Sequence, residues 1–515
     1  MNKQIRIAAT LTLGMSAMMA GGCNKFDQIN TNPDKPVKVT SDMLATTLIL
    51  DATKVTYRSN TDFVRPAQLG KYTCWSSSPS TEQYNYFGRT DAFSGLIVLN
   101  NVKPMVDLAT TEPLKNAYTA LGKCMRALKF FYLTMQVGDI PYSQALTGEE
   151  GNLRPAYDTQ KDVFLGILKE LDEADQLFAK ASDFAGDPVY GGKVAQWRKF
   201  ANSFQLQVLM NLYKKTADAD LKVVSRFQDI VNSRPVFQSN ADNFGLTFSN
   251  VAGQKYPFYI EGNQSYVYVM VSSFLIDSLK AFNDNRLFYF ANPSPVKVAA
   301  GKAVSDPAAY SGPNPAAVYS EITNIASSKD YSPINDRYLQ LPQGEPVYML
   351  SYAQLKFIMA EAGIRGWIPG GGAQQYADGI KAAMRCVADN TPDDPRYNHN
   401  MKITDDYIQN TYLQQPKVQF AANTDDKLRQ VWMQQYLSLF LQAPYYAFYE
   451  FRRTGYPVFT INPASNLNTP SNKIPLRYLY PQSELDYNKE HVVEAIQRQY
   501  NGDDNVNTPM WILKD

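Results

Sequence analysis

Histidine is almost missing from this chain: among 515 residues only His399 and His491 occur. That scarcity removes most histidine-dependent acid–base chemistry and most histidine metal sites. Cysteine is equally thin, at Cys23, Cys74, Cys124 and Cys386, with no C-x-x-C pair and no zinc spacing. The three cysteines after Cys23 cannot all pair with one another, so no disulfide scaffold is expected. Cys124, set among Leu121, Met125 and Leu128, reads as a buried thiol. Excess charge is lacking too: 50 basic residues face 49 acidic ones for a net charge of +1, with no long block of either sign. A polyanion such as nucleic acid is therefore not the expected partner, because its binders concentrate basic charge on one face. There is no H-E-x-x-H, no G-x-S-x-G and no P-loop. Gly370–Gly372 lacks the third glycine of a dinucleotide fingerprint and reads as a hairpin breaker, so no cofactor is expected. Oxygen-bearing runs at Asn283–Asn285 and Asp503–Asn507 lack the spacing, glycine and final glutamate of an EF-hand, and no metal is expected.

What is present begins at the N-terminus. Lys3 and Arg6 precede a small, apolar stretch from Ile7 to Ala20, broken by Thr10, Thr12, Gly14 and Ser16. It is too short and too weak to span about 30 Å of hydrocarbon but suits the apolar core of a signal peptide. Ala20-Gly21-Gly22-Cys23 resembles a bacterial lipobox, whose cysteine is acylated and becomes the mature N-terminus. The alternative is a plain secretory signal with an incidental cysteine. Several acyl chains on Cys23 would anchor the protein stably where one would not. The expected layout is a signal peptide over residues 1–22, a lipid-anchored tether over 23–40 and a folded body over 41–515. The tether, polar and with two prolines, reads as extended chain.

The body is 44% hydrophobic over the full sequence, ample for a large core, and its dominant period is helical. Tyr118, Leu121, Met125, Leu128, Phe131, Tyr132 and Met135 fall on one face, with Thr111 and Pro113 as start signals. From Asp158 to Phe178 the pattern repeats, with Thr159 and Asp162 placed as a capping box. A third pattern runs to about Arg365, breaks at Gly366, Pro369 and three glycines, and resumes with Tyr376, Ile380, Ala383, Met384 and Val387. Ala353-x-x-x-Phe357 and Ala127-x-x-x-Phe131 each match a fragment of the tetratricopeptide signature. Stacked helical hairpins in a right-handed superhelix are expected. Residues 240–266, 290–347 and 455–482 are rich in Pro, Gly, Asn, Ser and Tyr and read as long irregular loops, which inside a folded chain are usually functional.

Six stretches then occur in order: "GDIPYSQA" (Gly138–Ala145), "WRKFANSFQLQVLM" (Trp197–Met210), "FNDNRLFYF" (Phe282–Phe290), "SYAQLKFIMAEAGIRGW" (Ser351–Trp367), "FYEFRRTGYP" (Phe448–Pro457) and "IPLRYLYPQSE" (Ile474–Glu484). With the lipobox and the ending "NGDDNVNTPMWILKD", they resemble the SusD/RagB family of outer-membrane nutrient-binding lipoproteins over nearly the whole mature chain. Departures are "FNDNRL" where the family often has Asp-Pro-Arg, and Met510-Trp511 where paired tryptophans are frequent. The resemblance implies an all-α, tetratricopeptide-like scaffold with a loop-rich ligand face, and a binding protein rather than an enzyme. It implies a Gram-negative outer-membrane location, facing the exterior. There the protein would capture an oligosaccharide or oligopeptide for a SusC-like TonB-dependent transporter.

Binding a neutral sugar takes flat apolar faces and hydrogen-bonding groups at the edges. The first candidate, "CWSSSPSTEQYNYFGR", offers Trp75, Tyr84, Tyr86 and Phe87 as platforms, with Glu82, Gln83, Asn85 and Arg89 as polar partners. The second, "YPFYIEGNQSYVYV", offers Tyr256, Tyr259, Asn263, Tyr266 and Tyr268, and the third is Tyr310, Tyr319 and Tyr331. Each aromatic has an alternative reading as a core plug, and the alternation of Tyr266, Tyr268 and Met270 also suits a strand edge. Arg452-Arg453 reads as structural ion pairing with Glu450 or another carboxylate rather than as an anion clamp. Two further functional readings stay open: a membrane-tethered protein–protein scaffold, and a glycoside hydrolase, which needs only two carboxylates about 5–9.5 Å apart.

Overall fold

The computed structural model describes residues 38–55, 61–261 and 264–515. The signal peptide, Cys23 and nearly all of the tether lie outside the described residues. Among the described residues are twelve α-helices of nine residues or more, here α1 (Ser41–Thr53), α2 (Glu112–Val137), α3 (Gln160–Phe178), α4 (Val194–Asn211), α5 (Val223–Ser233), α6 (Ser273–Ala281), α7 (Tyr319–Ser328), α8 (Tyr352–Ile364), α9 (Ala373–Asp389), α10 (Thr424–Ser438), α11 (Tyr446–Thr454) and α12 (Lys489–Tyr500). Strands are few and short: β1 (Thr73–Trp75) pairs antiparallel with β3 (Val269–Val271), and β2 (Phe244–Leu246) with β4 (Val347–Leu350).

The helices start and stop where the chain's own chemistry directs. Thr111 stays extended (φ −132°, ψ 154°), Pro113 occupies the first turn of α2, and Gly138 at φ 92° ends it. The Thr159 side chain accepts from the Asp162 amide, half of the expected capping box, while the Asp162 carboxylate accepts from the Thr159 hydroxyl at 2.6 Å. Helices then stack in sequence: α2 packs on α3, α3 on α4, α4 on α8, and α8 on both α9 and α10. Phe131 shows how the layers lock, its ring edge-on to Phe164 of α3 at 6.3 Å and to Phe204 of α4 at 5.4 Å. Between α8 and α9 the approach is tight at Gly379, where an added Cβ would lie 2.7 Å from the Phe357 ring.

Buried charge ties distant layers together. Arg453 on α11 donates to both oxygens of Glu361 on α8, each at 2.7 Å, and to Glu450 Oε2 at 2.6 Å. Its neighbour Arg452 meets no carboxylate among the described residues; it donates to the carbonyls of Met135 (2.6 Å) and Leu476 (2.9 Å) and lies 4.8 Å over the Tyr449 ring. Asp284 receives Arg286 at 2.6 Å and the Tyr412 hydroxyl at 2.7 Å, so its carboxylate is spent inside the fold. Asp504 likewise serves Arg477 at 2.8 Å. Cys124 is buried in the main core, and Cys74 lies with Met270, Ala317 and Ile322 in a second, smaller one.

One expectation needs correcting. The segment 290–347 is not one long irregular loop: it contains α7 and several single helical turns. Only Ile322 of α7 is buried, so its apolar stripe is too narrow to show as a helical period.

Candidate ligand-binding face

The face is organised by the β1–β3 ribbon, on which Trp75 is opposite Val269, Cys74 opposite Met270 and Thr73 opposite Val271. Cys74 and Met270 point into the second core, which α7 covers. Trp75 lies on the other side, where it belongs to the main core and meets Tyr268 edge-on at 5.5 Å. A single turn of 3₁₀ helix over Gln264–Tyr268 delivers Tyr268 to that position, and the Ser76 amide donates to its carbonyl at 3.1 Å. Tyr268 keeps 43% of its surface exposed while Trp75 keeps 9%, so Trp75 supports and Tyr268 presents.

The loop that follows sorts its aromatics by backbone geometry. Asn85 takes a left-handed conformation at φ 58°, which asparagine tolerates better than most residues. Tyr86 on one side of the turn is 54% exposed. Phe87, the next residue, is buried and stacks on Tyr478 at 4.5 Å. Tyr84 is buried, and that burial raises the pKa of its phenol. The polar candidates of this loop are largely spent on the loop itself. Asn85 accepts from Lys71 Nζ at 2.7 Å and donates to Asn466 at 3.3 Å. Gln83 Oε1 accepts from the Trp75 amide at 2.9 Å. Arg89, though exposed, donates to the Tyr480 carbonyl at 2.8 Å and reaches Asp504 at 3.3 Å.

The other candidates divide similarly. Tyr266 is partly buried against the main core. Tyr256 is buried, Tyr259 has the Lys255 ammonium 4.8 Å from its ring, and Asn263 lies outside the described residues. Tyr310 is fully buried; Tyr319 donates to the Ser76 carbonyl at 2.9 Å, tying α7 to the rim. Tyr331 packs against the second core. The ribbon thus brings Trp75 and Tyr268 together, Tyr86 is exposed on the loop that follows, and Tyr84, Asn85 and Phe87 form its foundation. Sequence reasoning missed Lys71, the anchor of the loop; a lone lysine in "GKYTCW" carries no periodic or motif signal. Among the described residues no cluster of three or more His, Cys, Asp or Glu side chains is placed to hold a metal, and no helix is long and apolar enough to cross a membrane.

Residues 33–481 match a family profile described as starch-binding and associating with the outer membrane. Solved structures agree across the chain. A SusD homolog from Bacteroides fragilis is 43% identical, covers 92% of this chain and all of its own, and superposes with a TM-score of 0.89. A second SusD homolog from the same species is 34% identical over 93% of this chain and all of its own, at 0.81. A Bacteroides vulgatus protein assigned to the outer membrane and to nutrient binding is 32% identical over 92% of this chain and all of its own, at 0.82. No curated protein matches. A helical scaffold of stacked pairs, the family profile over residues 33–481 and solved relatives that cover more than nine-tenths of the chain lead to one assignment: the chain belongs to the SusD-like family, whose proteins bind carbohydrate and are non-catalytic.

Proposed function

We propose that this protein captures an oligosaccharide, or alternatively an oligopeptide, at the outer cell surface and passes it to a SusC-like TonB-dependent transporter. The observation that carries the reading is the exposed Tyr268 ring braced edge-on by Trp75. An aromatic held at a fixed angle offers a sugar its flat face without losing side-chain freedom on binding. Tyr86, more exposed still, supplies a second platform. Acylated Cys23 and the tether over residues 23–40 would keep the body over 41–515 at the membrane. The protein acts without catalysis in this reading, so ligand leaves chemically unchanged.

The test uses soluble protein beginning after Cys23, titrated calorimetrically with malto-, chito- and xylo-oligosaccharides and with short peptides. Reducing ends and free amines are assayed in the same samples. Binding without product is expected, and Tyr268→Ala should weaken it about tenfold, near 1.4 kcal/mol for one lost ring contact. Tyr86→Ala should act in the same direction, with melting temperatures unchanged. New reducing ends or amines would make the protein an enzyme. Binding that ignores both substitutions would place the site elsewhere.

A further inference from the structure

A cavity of about 410 Å³ opens where α6, α10 and the segment through Phe459 meet. Phe274 and Phe459 form an edge-on pair at 5.4 Å in its wall, and Ser278 and Asn314 supply polar groups. That volume suits a single sugar ring or a capped amino acid. Lys71 also lines it. The lysine is held firmly: its backbone is left-handed at φ 61°, and the Ser272 hydroxyl donates to its carbonyl at 2.6 Å. Nζ donates to the Gln83 carbonyl at 2.6 Å and to Asn85 Oδ1 at 2.7 Å, both uncharged acceptors. Among the described residues no carboxylate pairs with it, which is unusual for a buried ammonium.

We infer that this cavity binds a small ligand bearing a carboxylate, which pairs with the Lys71 ammonium while the ligand body rests against Phe274 and Phe459. The missing counter-charge is the argument. Burial among neutral acceptors disfavours the charged form of the amine, and a ligand carboxylate would favour it. Two ligands share this chemistry: a uronic-acid residue of a glycan and the C-terminus of a peptide. The site adjoins the Trp75–Tyr268 rim through Lys71 and Gln83 but does not rest on the reading given for the rim.

Burial pushes the Lys71 amine down to about 7. The titratable groups on the elements around it are Cys74 of β1, Tyr72, Glu82 and Tyr84 of the adjoining chain, Asp277 of α6 and Tyr436 of α10. Burial raises the pKa of Cys74, Tyr72, Tyr84 and Tyr436, which keeps them neutral. Glu82 lies 3.9 Å from Arg65, and Asp277, exposed on α6, lines the same cavity without pairing with Lys71. Lysine protonation therefore governs how a carboxylate ligand responds near neutrality.

The test is calorimetric titration of the soluble protein with glucuronic acid against glucose, and with N-acetylphenylalanine against its amide. At least one acid should bind ten or more times tighter than its neutral partner near pH 6, and about tenfold weaker near pH 8 as the amine loses its proton. Preference for glucuronic acid names a glycan source, and preference for N-acetylphenylalanine a peptide source. Lys71→Met should abolish the discrimination. Ser278→Trp, on the half-buried side of α6, should block binding while leaving the lysine in place, and it decides the matter if Lys71→Met fails to fold. Equal binding of acid and neutral partner, no binding of either acid, or affinity unchanged between the two pH values would overturn the proposal. Neutral oligosaccharides titrated into Ser278→Trp report on the rim alone, so failure at this cavity and failure at the rim are read separately.

Discussion

The buried triad of Arg453, Glu361 and Glu450 yields a stability prediction whose size follows from the structure. Glu361 is 1% exposed and receives Arg453, Arg365 and the Trp432 indole. Burial alone would raise its pKa, but the two arginines and the indole outweigh burial and hold the carboxyl down at about 2, well below the ordinary glutamate value. The folded protein thus binds this proton less tightly than the unfolded chain. Stability carried by Glu361 is complete above the ordinary carboxyl range and is lost as pH falls toward 2. Each tenfold change in proton affinity is worth about 1.4 kcal/mol, so the contribution is about 3 kcal/mol at neutral pH. Glu361→Gln removes the charge, keeps the shape, and leaves Arg453 with Glu450 alone. Urea unfolding at pH 7 should place the variant about 3 kcal/mol below the parent, near the low end for breaking a buried pair. The gap should shrink in acid, with about 2 kcal/mol of it gone by pH 3, because the protonated parent then resembles the amide. A gap under about 1 kcal/mol at pH 7, or one that stays constant down to pH 3, would refute this account of the triad.

Two further expectations concern packing and protonation. Gly379→Ala gains about 1 kcal/mol of helix propensity, but its Cβ must displace the buried Phe357 ring. A net loss of about 1–2 kcal/mol in denaturant unfolding is expected, and a neutral or stabilised variant would show that α8 and α9 can part without cost. His399 is buried, its Nδ1–H donating to the Phe288 carbonyl at 2.8 Å, and burial lowers its pKa. Its contribution is lost as pH falls below the ordinary histidine range, so His399→Gln should flatten the stability decline between about pH 7 and pH 5 by up to about 1.4 kcal/mol per pH unit. Parallel declines in parent and variant would show that His399 does not titrate with unfolding.

What the chain discloses in advance is whatever its local chemistry decides. Thr111 with Pro113, the Thr159 cap on the Asp162 amide, and the glycine break between α8 and α9 each act within one turn of helix, and each is where the spacing predicts it. The structural role of Arg453 is legible for the same reason, since Glu450 lies one turn away; Glu361, 92 residues distant, is not. The rim is illegible for the opposite reason. Which of Tyr84, Tyr86 and Phe87 faces solvent depends on the left-handed turn at Asn85 and on Tyr478 and Asn466, contacts brought from nearly 400 residues away. Eight candidate side chains fall within the 75–89 segment, and composition alone gives them equal standing.

The way polar groups are used at the rim bears on how it recognises ligand. Gln83, Asn85 and Arg89 would be the natural hydrogen-bonding partners for a sugar, yet each has its side chain committed to the protein. Gln83 alone joins three segments: its side chain accepts from Trp75 and donates to the Pro315 carbonyl at 3.4 Å, and its own carbonyl accepts from Lys71. These bonds fix the loop before ligand arrives, which lowers the ordering cost of binding. They also leave the exposed surface to Tyr86 and Tyr268. A face built this way draws affinity from stacking, which is tolerant of sugar identity, and little from hydroxyl patterns, which discriminate sharply. On the proposed reading the rim is suited to gathering a class of related chains, and stricter selection would come from the proposed Lys71 cavity, whose charge depends on pH.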